Sequence, residues 1–227
     1  MQTNQQTIGA RMRSALPYVT KGGRVVDVGT DHAYLPIYLV EQGLVREALA
    51  ADVNEGPINS ARANVAAHGL EDRISTLLTD GLHGVEDFCP DDVIVFGMGG
   101  ELIVRILSEA PWIKDERIGL ILQPMSRAAV LREWLLANGF AIVGEMISFE
   151  DKYYQTIAAR YCGRADTYRE EELMVGRWNI EHRPLLFEGF VRHEIAVLER
   201  IIEGKSRSEA ADANEDAARK RKLEALL

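Results

Sequence analysis

The feature that most constrains this chain is an alternation of short apolar runs with helix-like segments, repeated along its first two thirds. Residues 24–28 (RVVDV) read as a buried strand, residues 35–41 (LPIYLVE) as a helix that tolerates proline in its first turn, and residues 47–53 (EALAADV) as a second strand. A helix over 57–69, stopped by glycine, leads to a third strand at 74–80. VIVFGMGG (93–100) and IGLILQP (118–124) are the fourth and fifth strands, followed by helices over 101–110 and 126–140. The runs are continuously apolar rather than alternating, as expected of parallel strands covered on both faces. Two further extended segments, 141–150 and 152–161, are separated by a single residue, so they must turn back as a hairpin rather than cross over. The expected fold is therefore α/β and Rossmann-like, with an antiparallel last strand.

The flanks differ in character. Residues 8–19 carry apolar positions at helical spacing, ended by Gly22 and Gly23. From about residue 165 the sequence becomes charged and helical. Phe187, Val191, Ile195, Leu198 and Ile202 form a seam suited to packing against another helix. Gly204 to Ser206 reads as a break, and the last 21 residues as a returning helix. This divides the chain into a domain over 1–162 and a helical, coiled-coil-like domain over 163–227. The tail either adds stability or grips a large substrate.

Bulk composition excludes several classes. With 47% hydrophobic and 27% charged residues the chain reads as globular, and its apolar runs are too short to cross a bilayer. The first residues lack the apolar core of a signal peptide. Cys89 and Cys162 have no ligand spacing, so no metal is expected, and two reduced cysteines suit a cytoplasmic protein. The net charge of −9 counts against a uniformly basic nucleic-acid surface, although net charge says nothing of its distribution. A monomer or weak dimer is expected.

The chemistry concentrates where strands end. In VVDVGTDHAYLP (25–36), Gly29 lets the backbone approach a ligand, and the helix that follows offers free N–H groups. A pyrophosphate would want a GxGxxG turn without acids. Here a single glycine has Asp27 before it and Asp31 after it, a pattern suited to the ammonium and sulfonium of S-adenosylmethionine. An ordinary turn capped by Asp31 is the bland alternative. Asp52, ending the second strand, can accept both ribose hydroxyls. Asp80, ending the third, can accept the adenine amino group. The candidate cofactor site thus comprises Asp27, Gly29, Thr30, Asp31, His32, Leu35, Pro36, Asp52, Val53, Asn54, Asp80, Gly81, Gly97 and Met98.

Together, VDVGTDHAYLPIYL, ADVNEGP, TDGL, VFGMGG, LILQPM, LREWLLANGF and KYYQTIAA resemble the bacterial tRNA (adenine 22, N1)-methyltransferases, over roughly residues 8–160. The resemblance implies a class I methyltransferase sheet, S-adenosylmethionine as cofactor and tRNA as partner. Adenine N1 is itself a nucleophile, so most acceleration can come from alignment. Asp31 is the candidate catalytic residue, either taking up charge or a proton from the base or only orienting the cofactor. The fourth strand lacks the Asn-Pro-Pro-Tyr type of motif that grips an exocyclic amine, which favours a ring nitrogen. His32, Met98, Gly99 and Gly100 are the candidate substrate contacts, with a sharp turn as the plainer reading of the glycines. Because N1 lies on the pairing edge, the target must be unpaired or flipped. Arg62, Arg105 and Arg132 are candidate phosphate contacts. The competing readings are a methyltransferase of small molecules or proteins, a cofactor-binding scaffold without catalysis, and a nicotinamide dehydrogenase.

Overall fold

The computed structural model describes residues 7–206 and 213–227. A short helix α1 (Ala10–Arg13) precedes β1 (Gly23–Val28), α2 (Tyr34–Glu41), β2 (Val45–Asp52), α3 (Glu55–Ala67) and β3 (Ile74–Leu78). Then come β4 (Asp92–Met98), α4 (Gly100–Ser108), β5 (Gly119–Pro124), α5 (Ala128–Ala137) and the hairpin β6 (Phe140–Phe149) and β7 (Tyr153–Tyr161). Among the described residues, four helices follow: α6 (Glu170–Val175), α7 (Arg177–His182), α8 (Phe187–Ser206) and α9 (Asn214–Glu224).

The seven strands form one sheet in the order β3-β2-β1-β4-β5-β7-β6. The first five are parallel, and β7 inserts antiparallel between β5 and β6. Strand residues alternate between two cores, as the period of two demands. Val26, Val28, Leu49, Val93, Val95, Leu120 and Leu122 point to the α4–α5 side. Val25, Ala48, Ala50, Ile94 and Ile121 point to the α2–α3 side. The chain order reverses between β1 and β4, so the crevice at their carboxyl ends is where this topology places ligands.

Several expectations change. The helix read over 8–19 is only α1 plus a 3-10 turn (Leu16–Tyr18). Ser14 Oγ donates back to Arg11 O at 2.6 Å, and Pro17 brings no N–H to carry the ladder further. The third strand ends at Leu78, leaving Asp80 in the loop beyond. The hairpin turn is three residues long, not one. Gly204 does not break the tail, since α8 runs through to Ser206; the start of the returning segment, 207–212, lies outside the described residues.

The tail seam folds as read: Phe187, Val191 and Leu198 are buried, with Ile195 packed beside them, against Ile147 of β6 and Leu223 of α9. Arg132 is a correction. It is fully buried, its Nε donating to Glu145 Oε1 at 2.7 Å and Nη2 to Gln155 Oε1 at 2.7 Å. Nη1 donates to the carbonyls of Leu173 and Met174 at 2.7 and 3.2 Å. A guanidinium so enclosed cannot meet a phosphate; it ties α5 and the hairpin to α6.

Candidate active site

The site begins with the turn after β1. Gly29 N and Thr30 N both donate to Ala51 O, at 2.8 and 3.0 Å, so the turn is fastened to β2. Gly29 has φ +75, followed by His32 at +62 and Ala33 at +55. Two adjacent non-glycine residues in the left-handed region hold strain of about 1–2 kcal/mol each. Asn64 Nδ2 donates to His32 O at 3.0 Å and pins this coil from α3. A Cβ at Gly29 would meet only the terminal methyl of the flexible Met98 side chain, so it is the positive φ that calls for glycine here.

Met98 lies over Gly29, which borders two cavities. On one side a cavity of about 170 Å³ is bordered by Asp27, Asp31, Tyr34, Leu35, Phe96 and Arg11. On the other, Asp52, Val53, Asp80, Gly81, Leu102 and Ile106 border a cavity of about 80 Å³. The three acids read from sequence therefore do converge on one rim of the sheet. Thr30, His32, Pro36, Asn54, Gly97, Gly99 and Gly100 line neither cavity and stand behind or beside the walls.

Each acid is held differently. Asp27 is buried, which pushes its carboxyl up to about 6; the Thr30 hydroxyl and the Arg11 guanidinium offset part of that rise. Asp52 Oδ1 accepts from Asn54 N at 2.7 Å, so one oxygen shapes the loop. Asp80 pairs with Arg105 Nη2 at 3.0 Å, and that hydrogen bond holds its pKa below the usual carboxylate value. Arg105 is thereby engaged, with Glu109 as second partner, rather than presented to phosphate. Arg62 is likewise occupied, donating to Thr76 Oγ1 at 2.9 Å and to Asn59 Oδ1 at 3.3 Å. Asp31 is mostly exposed, 3.2 Å from His32 Nε2, and the His32 ring stacks on Tyr34 at 5.2 Å.

A single-glycine turn flanked by acids, on a sheet of this order, can be set beside known proteins. A family model described as a methyltransferase domain matches residues 8–157. The tRNA (adenine(22)-N(1))-methyltransferase of Bacillus subtilis is 35% identical over 177 residues, covering 76% of this chain and 73% of the relative. The chain belongs to this methyltransferase family. A Streptococcus pneumoniae structure in complex with S-adenosyl-L-methionine superposes with a TM-score of 0.84 at 33% identity, covering 96% of this chain and 99% of that one. The M. capricolum TrmK structure, in complex with S-adenosyl-homocysteine, gives 0.81 at 28% identity and 96% coverage of both chains.

Within this family fold, sequence reading missed Arg11. It reaches the Asp27 cavity from α1 because Gln123, wholly buried in β5, accepts from its Nε at 2.8 Å. Gly97 leaves the necessary room, since a Cβ there would lie 2.9 Å from Arg11 Nη2. Gln123 also donates to Thr156 Oγ1 at 2.9 Å and to Ser14 Oγ at 3.2 Å. The available signal was a lone amide in an otherwise apolar strand, which must find partners when buried.

Proposed function

We propose that this chain transfers a methyl group from S-adenosylmethionine to N1 of adenine 22 in tRNA. The observation that carries the reading is the pair of acid-lined cavities meeting at Gly29. The residues fit the cofactor: Asp27 suits its ammonium, Asp52 its ribose hydroxyls, and Val53, Leu102 and Ile106 offer apolar surface to its adenine ring. Asp80 and Gly81 close that end. Met98 lines the smaller cavity beside the shared Gly29, and its flexible thioether can yield to a ligand that spans both. When bound, the cofactor supplies an electrophilic sulfonium methyl.

Methylation at N1 leaves positive charge on the base. Asp31, exposed at the mouth of the Asp27 cavity, balances that charge or accepts the amino proton. His32 adjoins Asp31 there, its Nε2 3.2 Å from the carboxylate. We take residues 1–162 as the cofactor-binding domain and 163–227 as a helical domain that steadies the RNA, in a cytoplasmic setting where tRNA is found. No described helix is long and apolar enough to cross a membrane.

Nucleoside analysis of tRNA incubated with the protein and S-adenosylmethionine tests the reading, with 1-methyladenosine as the expected product. Methyl incorporation confined to protein or metabolite would reject it. Asp31→Ala is expected to stay folded and lose about 10²–10⁴ in turnover; wild-type turnover in that variant would remove Asp31 from the chemistry.

A further inference from the structure

The cofactor cavities occupy the ends of β1 to β4. On the same edge, the end of β5 and the start of β7 border a larger cavity of about 390 Å³, walled on its far side by α8. The turn after β5 joins the two places: Met125 N donates to Met98 O, and Gly100 N to Ser126 O, both at 2.8 Å. A strand of RNA leaving the cofactor crevice along the sheet edge meets this cavity next.

Its lining combines flat rings with charge. Tyr153 lies with its ring centroid 5.5 Å from that of His193 and 5.8 Å from that of Phe190. Helix α8 comes this close because Gly189 has no side chain; a Cβ there would stand 2.5 Å from the Tyr153 hydroxyl. Arg127 and Lys152 stand at the rim, Arg127 in a left-handed conformation and, at 3.9 Å, only loosely paired with the exposed Glu101. The wall also holds Glu194, half-buried, which makes no hydrogen bond or ion pair among the described residues. Burial raises its pKa, with His193 and Arg132 acting against the rise. A partly desolvated carboxylate needs a donor, and although the Tyr153 and His193 rings are tilted by 47° to one another, an aromatic face beside an acceptor is how proteins hold unstacked bases of RNA.

We propose that this cavity receives a second nucleobase, extruded beside the target adenine, with Glu194 accepting N–H donors of its pairing edge and Tyr153 and His193 against its ring. Arg127 and Lys152 meet the flanking phosphates. Guanine matches best, because its N1–H and 2-amino group present two donors side by side to the two carboxylate oxygens. The inference deepens the RNA reading above and rests on it.

The test uses the full chain. Glu194→Gln and His193→Ala are compared with wild type on a tRNA transcript, and GMP, IMP and AMP are titrated by NMR with S-adenosylhomocysteine filling the cofactor site. A charged hydrogen bond of this kind gives about a tenfold rise in KM for the transcript on its loss, with cofactor affinity unchanged. GMP is expected to perturb Tyr153 and His193 more strongly than IMP, which lacks the 2-amino group, and the preference is expected to vanish in Glu194→Gln. An unchanged KM, or equal binding of all three nucleotides, overturns the base pocket. A wild-type protein that leaves the transcript unmethylated but still prefers GMP overturns the RNA reading instead.

Discussion

Asp27 carries a proton further into the neutral range than an exposed aspartate, because burial disfavours its charge. The folded pKa, about 6, stands above the ordinary 3.8. The native state therefore holds more protons than the unfolded one between these values, and this group's contribution to stability declines as pH rises through that window. Cofactor affinity runs the other way, since an ammonium wants the anion. Below pH 6 the dissociation constant for S-adenosylmethionine should rise by up to about tenfold per pH unit. Calorimetry from pH 5 to 8 checks this, and Asp27→Asn should bind weakly with that dependence gone. The placement of Asp27 and Asp52 was legible in the sequence, because acids at the ends of strands follow the strand pattern, whereas Asp80 was read as ending a strand that stops at Leu78. Their partners were not: Arg105 reaches Asp80 across 25 positions, and nothing local announces it.

At the scale of elements, Arg132 and Glu145 join α5 to β6 and, through the carbonyls of Leu173 and Met174, to α6. Burial raises the Glu145 pKa, and Arg132 opposes that rise. Removing one member of such a pair strands the other, at about 3–5 kcal/mol. Arg132→Met should therefore lower Tm by roughly 10 °C in a chain of this size. Arg132→Met with Glu145→Leu should recover part of the loss, since two apolar groups need no partner; thermal unfolding of both variants checks it. Helix α5 was legible from its apolar spacing, but the burial of Arg132 was not. A helical arginine defaults to solvent until something packs over it, and what packs here comes from 41 residues downstream. The misread first helix has a local cause instead: Ser14 and Pro17 end α1, and Gln123 and Thr156 decide only where it docks.

At the scale of the molecule, the boundary near 162 divides the sequence more cleanly than it divides the energetics. Ile147 shares one apolar cluster with Phe187, Phe190 and Val191, and Arg132 draws its carbonyl partners from beyond the boundary. A chain cut after residue 162 should retain the acid-lined crevice but melt lower and expose apolar surface. Differential scanning calorimetry and dye binding measure this, and a melting point equal to the full chain's would overturn it. The five-fold alternation gave the sheet its parallel part from sequence alone, and the hairpin spacing gave the antiparallel end. The slot that β7 takes between β5 and β6 has a temporal side. Every residue of β5 is buried in the finished protein, yet the neighbour that covers its free edge begins only at Tyr153. A nascent chain on the ribosome therefore carries an uncovered, aggregation-prone border until the last third of translation, and holding that border apart from other chains falls to the cell's folding helpers.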